Sequence, residues 1–304
     1  LIGGRAAENI GFSLKSSPLG HTNHCLPEQG SFALYAWGRG RDEPRPSRLW
    51  GELIACNVGA YGLYGTPQDL NYNKSTISKN SLLIDGMGQA RTHAPWQGRV
   101  AAYHADDDLV YCCASFGNTY PAEANVESCF RHFLFVRGRY FVIFDDVQLS
   151  EPGTVAWMYH VPPDNPLGHE LHLPEVQRLE GGVADYQCGD TRVAFRIFGD
   201  AIGSSVSDRS IGIDGVDYTE DQVTPTVNFR FEPGGPAEHH RFLTVIVPWR
   251  ETPPQIERVD DKHLSVTVDG ITDAIGFGNA DGDTVDFEAV QARTMEWLRQ
   301  YAAE

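Results

Sequence analysis

The feature that most constrains this chain is a long succession of short apolar or alternating runs, each closed by Gly, Pro, Asn or Asp. The clearest are Ile10–Lys15, Ser31–Trp37, Glu52–Val58, Ser81–Asp85, Leu109–Phe116, Cys129–Val136 and Tyr140–Val147. They continue through Thr154–His160, Arg192–Phe198, Thr226–Phe231, Arg241–Val247, Leu264–Val268 and Ala274–Phe277. Each is too short for a helix of ordinary length and suits a strand. A parallel α/β fold needs helices between its strands, and no helical pattern of adequate length separates these. The 31 Gly and 18 Pro among 304 residues supply the many turns that an antiparallel sheet requires. The expectation is an all-β chain, with one large antiparallel β-sandwich occupying residues 1–304. Polar, Pro-rich stretches at 38–47, 161–174, 199–222 and 232–240 read as its loops. One stretch departs from the pattern. From 286 to 301, Phe287, Val290, Met295, Leu298 and Tyr301 fall at helical spacing, after an acidic start and with Arg299 near the end. A C-terminal helix carrying Trp297 is predicted there.

Charge narrows the partners. The chain has 24 Lys+Arg against 41 Asp+Glu, a net charge of −17. A general nucleic-acid binder needs a basic face, and an anionic membrane attracts one, so both classes are disfavoured. An anionic substrate requires a cleft that is locally basic against the overall field. No stretch has the roughly 18 apolar residues that span a bilayer. The start at Leu1 is neither an initiator Met nor a signal peptide, and reads as a processing point or fragment boundary. The six Cys (25, 56, 112, 113, 129 and 188) form no C-x-x-C pair, so they are expected to be buried free thiols. Cys112 and Cys113 are strand neighbours whose side chains face opposite ways.

Polar and titratable side chains gather in loops ahead of strands between Leu14 and Gln89. The stretch Lys15-Ser16-Ser17-Pro18-Leu19-Gly20-His21-Thr22-Asn23-His24-Cys25-Leu26-Pro27-Glu28-Gln29-Gly30-Ser31-Phe32 comes first. Tyr61-Gly62-Leu63-Tyr64-Gly65-Thr66-Pro67 follows, then Ser75-Thr76-Ile77-Ser78-Lys79-Asn80-Ser81-Leu82-Leu83-Ile84-Asp85-Gly86-Met87-Gly88-Gln89. Further on stand Arg131-His132-Phe133-Leu134-Phe135-Val136, Tyr140-Phe141-Val142-Ile143-Phe144-Asp145 and Trp157-Met158-Tyr159-His160. In order and spacing these resemble the C-terminal β-sandwich of heparinase II/III-like polysaccharide lyases. Among those, they are most similar to alginate or oligouronide lyases of polysaccharide lyase family 15. The corresponding family motifs are K-S-S-P-x-G before N-H-x-H, Y-Y-G-S-P, N-x-x-L-V-D-G-x-G-Q, R-H-x-L-F-V and W-x-x-H.

The resemblance implies a role for particular residues. His24 matches the sandwich histidine that faces the substrate cleft, with Asn23 and Gln29 beside it. Asn80 and Gln89 match the second loop, and Tyr64-Gly65 the tyrosine turn. Where zinc-bearing relatives place a second His, an Asp and a third His, this chain has Leu26, Asn57 and Lys79. Leu has no ligating atom and a protonated Lys repels a cation, so no metal or other cofactor is expected, and Lys79 stands in for the metal's charge. The family also carries an N-terminal helical toroid that supplies a catalytic Tyr and His. No helical region of that size is present, so the chain is expected to be the sandwich part, with the toroid in the same precursor or another chain. The resemblance favours a soluble, periplasmic or secreted protein over a cytoplasmic one.

The implied reaction is β-elimination on an acidic poly- or oligosaccharide. It requires a base for the proton next to the uronate carboxylate, a proton for the leaving oxygen, and donors or cations aimed at the carboxylate. His24 is the candidate proton-transfer group. Asn23, Gln29, Tyr61, Tyr64, Lys79 and Asn80 are the candidate substrate-binding residues. Simpler roles stand beside these: Gln29 and Asn80 as braces between two loops, the tyrosines as packing residues, His24 as a loop histidine. Arg131 and Asp145 read as a structural pair across a hairpin, His160 as a satisfied sheet histidine, and His239-His240 as part of a polar loop without a role. His21, His24 and Glu28 lack the H-x-H spacing of a cupin metal site. A non-catalytic carbohydrate-binding or interaction module is the alternative to an enzyme.

Overall fold

The computed structural model describes residues 10–17, 26–37, 52–58, 65–67, 69–90, 98–162, 173–199, 202–207, 226–258 and 263–276. The predicted helix over 286–301 lies outside the described residues, as do His21, Asn23, His24, Tyr61 and Tyr64. Every strand pairing among the described residues is antiparallel. In chain order the strands are β1 (Ile10–Lys15), β2 (Ser31–Ala36), β3 (Glu52–Ala55), β4 (Leu82–Ile84), β5 (Arg99–Ala105) and β6 (Leu109–Ser115). Next come β7 (Val126–Val136), β8 (Tyr140–Gly153), β9 (Val155–Val161), β10 (Glu175–Glu180), β11 (Val183–Cys188) and β12 (Thr191–Phe198). The last are β13 (Gly203–Ser207), β14 (Val227–Glu232), β15 (Ala237–Trp249), β16 (Gln255–Arg258), β17 (His263–Val268) and β18 (Ile271–Gly276).

An eight-stranded sheet, ordered β10-β11-β12-β15-β8-β7-β6-β5, forms the middle of the molecule. Alternation on its strands gives each face its own core. On β8, Phe141, Ile143 and Val147 enter one core, whereas Tyr140, Val142 and Phe144 enter the other. The first core is closed by the sheets β13-β14-β9-β4 and β1-β2-β3, through Trp157, Tyr159, Phe229, Phe231, Phe32, Leu34 and Ile54. The second is closed by the small sheet β16-β17-β18, through Leu264, Val266 and Val268. The all-β sandwich expected from the sequence is therefore present.

Several differences from expectation have one cause. Strands β5, β10 and β16 are mostly solvent-exposed, so their sequences carry no apolar alternation. The stretch 199–222 contains β13, and β15 begins at Ala237, which places His239 and His240 in a strand and not in a loop. His240 is buried, with Nε2 2.8 Å from the Gly153 carbonyl, while His239 Nε2 lies on the Asp146 carboxylate. Cys112, Cys113 and Cys129 are buried free thiols, as expected, and Cys188 is buried; Cys56 is free but half-buried, and Cys25 lies outside the described residues.

Arg131 and Asp145 do form the expected pair, and it is more than a hairpin contact. They are register partners on β7 and β8, and both are fully buried. Arg131 Nε and Nη2 donate to the two carboxylate oxygens at 2.6 and 3.1 Å, and Trp157 Nε1 donates to Asp145 at 2.5 Å. Arg131 Nη1 donates to the carbonyls of Gly30 and Asn80 at 2.6 and 2.8 Å. The guanidinium also lies 5.3 Å from the Phe32 ring centroid and 5.4 Å from that of Trp157. One buried cation thus fastens the two loops that precede β2 and β4 to the central sheet.

Candidate functional site

Three segments converge where the sequence gathered its polar residues: Leu26–Gly30 before β2, Cys56–Val58 after β3, and Asp69–Gln89 around β4. Their contacts are made by side chains on main chain, the arrangement that holds irregular backbone in place. The Asn80 amide donates to the Phe32 carbonyl at 3.0 Å, and its oxygen accepts the His160 N–H at 2.7 Å. Gln29 Oε1 accepts the Ser17 N–H at 2.7 Å. The Gln89 side chain pairs with the Gln29 main chain in both directions, each bond 2.8 Å long. Ser81 Oγ donates to the Gln29 carbonyl at 2.9 Å. Gly30 has φ +72°, and a Cβ there would lie 2.4 Å from the Phe116 ring, so glycine is required on both counts.

Charge in this cluster is unevenly neutralised. Glu28 accepts from Lys15 Nζ on one oxygen and from Asn57 Nδ2 at 2.7 Å on the other. Asn57 Oδ1 in turn accepts the Asn80 N–H at 2.9 Å. Lys79 is 1% exposed, and its ammonium donates to the carbonyls of Val58 and Asn73 at 3.1 and 2.9 Å. Burial pulls its pKa down to about 8; Glu28 and Cys56 oppose the shift and Lys15 adds to it. Burial holds the His160 imidazole at about 3, with Lys79 contributing, so this histidine is neutral. Desolvation pushes the Cys56 thiol up to about 12, partly offset by Lys79. Lys74 and the buried carboxylate of Asp69 form an ion pair at 2.8 Å, and Asp69 also accepts the Gly65 N–H at 2.9 Å.

Gln29, Lys79 and Asn80 are therefore brought together, all at most 2% exposed, with hydrogen bonds running to the protein itself. The sequence did not single out Asp69, Asn57 or Thr76, whose hydroxyl donates to the Pro27 carbonyl at 2.8 Å, for this bracing. Short polar side chains before a strand are the signal that finds them, but it is shared by many ordinary loops. The three zinc positions do not fit a divalent cation. Leu26 has no donor atom, the Asn57 amide is engaged by Glu28, Ser31 and Asn80, and the Lys79 ammonium sits on two carbonyls. Among the described residues no group of three or more His, Cys, Asp or Glu is placed to hold a metal. None of their helices is long and apolar enough to cross a membrane.

The family model for the heparinase II/III-like, C-terminal domain matches residues 48–232, more than half of the chain. The chain belongs to the heparinase II/III-like C-terminal family. Solved structures share the fold. Heparan sulfate lyase HepC from Pedobacter heparinus superposes with a TM-score of 0.62 at 18% identity, over 87% of this chain and 38% of that one. The heparinase III encoded by BT4657 gives 0.62 at 18%, over 88% and 39%. A further heparinase III gives 0.57 at 15%, over 89% and 40%. The chain thus spans about two fifths of the length of these lyases. No curated protein matches it.

Proposed function

We propose that this chain is the sandwich part of a lyase that cleaves uronate-containing glycans by β-elimination. The observation that carries the reading is the family match over 48–232, supported by the fold shared with a heparan sulfate lyase. The substrate in this reading is an acidic poly- or oligosaccharide. Within the family, the oligouronide lyases of polysaccharide lyase family 15 are the closer kin, a proposal that rests on the motifs quoted above. A helical toroid, from the same precursor or another chain, is the proposed partner across the cleft.

His24 is the proposed proton-transfer group, with Asn23, Tyr61 and Tyr64 on the sugar. Gln29 and Asn80 act from behind, by bracing the segments before β2 and β4. Lys79 acts through its field: a buried ammonium opposes the −17 charge of the chain where a carboxylate must bind. No cofactor takes part. The test is the ultraviolet absorbance of the unsaturated uronate product, followed with heparan sulfate, heparin, alginate and their oligosaccharides. Product formation that falls sharply in His24→Ala is the expected result. Binding without turnover would favour a carbohydrate-binding module, and neither binding nor turnover would refute both.

A further inference from the structure

At the other end of β2 from the candidate site, two arginines lie on two tryptophans. Arg192 on β12 is the register partner of Trp249 on β15, and its guanidinium carbon lies 4.9 Å from the indole centroid. The next residue, Arg250, sets its guanidinium carbon 5.0 Å from the Trp37 ring centroid. One hydrogen bond joins the two stacks: Arg192 Nη1 donates to the Arg250 carbonyl at 3.0 Å. Arg250 Nη2 approaches the Trp37 carbonyl at 3.4 Å. Trp37 directly follows β2, whose first residue, Ser31, is bonded to Asn57. The rise of an extended chain puts Trp37 roughly 20 Å from Ser31, so the cluster is well separated from the loops around Lys79.

The charge here is uncompensated. Arg196, on the same face of β12, pairs with the Asp185 carboxylate. Among the described residues neither Arg192 nor Arg250 has a carboxylate partner, although Glu251 follows Arg250 in the chain. A guanidinium carries five N–H donors in one plane, and a single main-chain acceptor engages each of these two. Stacking on the indoles fixes the planes and leaves the remaining donors for solvent or a ligand. Arg250 is exposed, and Trp37, Arg192 and Trp249 are half-buried, so the groups are held yet reachable. Trp37 has φ +34°, a left-handed conformation that a bulky residue rarely adopts. Strain of this kind concentrates at ligand clamps.

We propose that Trp37, Arg192, Trp249 and Arg250 form a second glycan-binding site, one that takes carboxylate or sulfate groups of an acidic sugar chain. The guanidinium edges meet the anionic groups, and the indole surface that the arginines leave uncovered packs on sugar C–H groups. The preference for an anion follows from the arginines alone. The choice of a glycan among anions rests on the reading of the chain as part of a lyase. A site of this kind holds one stretch of a polymer while another stretch reaches the reaction cleft, which raises the apparent affinity for long chains.

The experiment titrates a heparan sulfate oligosaccharide and an alginate oligosaccharide into the full chain and follows the indole N–H signals by NMR. A single-stranded DNA oligonucleotide of equal charge is the control. At least one glycan should shift the Trp37 and Trp249 signals of the wild type. Arg192→Gln combined with Arg250→Gln should weaken that binding about tenfold or more, and added salt should weaken it in the wild type. The proposal is overturned if neither glycan moves the two signals, or if the double variant binds as the wild type does. Equally tight binding of the DNA also overturns it, because the site would then read charge alone. If the double variant does not fold, Arg250→Gln changes one exposed side chain and should still weaken binding severalfold; unchanged binding there is again fatal. The ultraviolet absorbance of unsaturated product, read on the same wild-type samples, separates the two proposals. Product with unmoved indole signals keeps the lyase reading and removes this site, and shifted signals without product do the reverse.

Discussion

Arg131 and Lys79 are both cations withdrawn from water, and their surroundings treat them in opposite ways. Arg131 meets a carboxylate in bidentate geometry, two carbonyls and two aromatic faces. Lys79 meets two carbonyls, while Glu28, the acid whose field opposes its shift, is already engaged by Lys15 and Asn57. The difference separates two uses of buried charge. In the sheet, a fully paired ion locks strands and loops together. Beneath the loops, an ammonium with no ion pair among the described residues keeps its field at a cost in stability, which its lowered pKa records. Buried charges of the first kind are expected to fail when broken, and those of the second to respond to pH.

The largest effect should come from Arg131→Met, which strands the Asp145 carboxylate in the core. Urea unfolding should show a loss of about 3–5 kcal/mol. A loss under about 1 kcal/mol would mean that the pair does not organise the sheet.

The pH response of Lys79 comes next. Its pKa is about 8 in the folded protein against an ordinary 10.5. Below pH 8 both folded and unfolded chains carry the proton, and the full cost of burial is present. Between about 8 and 10.5 the unfolded chain binds more protons, so stability climbs with pH, by at most about 3 kcal/mol. Cys56 pulls the other way above its ordinary value of 9.0, because its folded thiol keeps the proton. The measured quantity is therefore the difference between wild type and Lys79→Met across pH 7–10.5. That difference should change steadily in favour of wild type as pH rises, and a flat difference would remove the buried ammonium from the account.

Gly30→Ala should cost about 1–3 kcal/mol in thermal unfolding, since the new Cβ meets the Phe116 ring. The smallest effect belongs to His239→Ala. Asp146 is the strand neighbour of Asp145 but faces the other way, and its pair with His239 is more than a third exposed on both sides. An exposed pair contributes about 0–1 kcal/mol, so the unfolding midpoint should barely move.

What the sequence made legible follows the same division. Among strands with buried faces, β7, β8, β9 and β12 announced themselves by apolar residues where a core requires them, whereas β11, with Ala184, Tyr186 and Cys188 buried, did not. Strands that face water, such as β10 and β16, carry Glu, Gln and Arg and look like loops. Residues 150–152 of β8 and the first residues of β15 extend beyond their apolar cores for the same reason. Residue types at the candidate site were visible, but their partners were not. Nothing in the spacing of Lys79 indicates that Val58 and Asn73 carbonyls receive its protons. Likewise nothing in the Thr76 position points to the Pro27 carbonyl that accepts from its hydroxyl.

The central proposal is that the chain handles an acidic glycan through His24. Its most direct measurement is the ultraviolet absorbance of unsaturated product from heparan sulfate and from oligouronides, with wild type and His24→Ala at equal folded concentration. The account predicts product with the wild type and a drop of about a hundredfold or more in the variant, the usual scale for a lost proton-transfer group. Turnover that is the same in His24→Ala would contradict it.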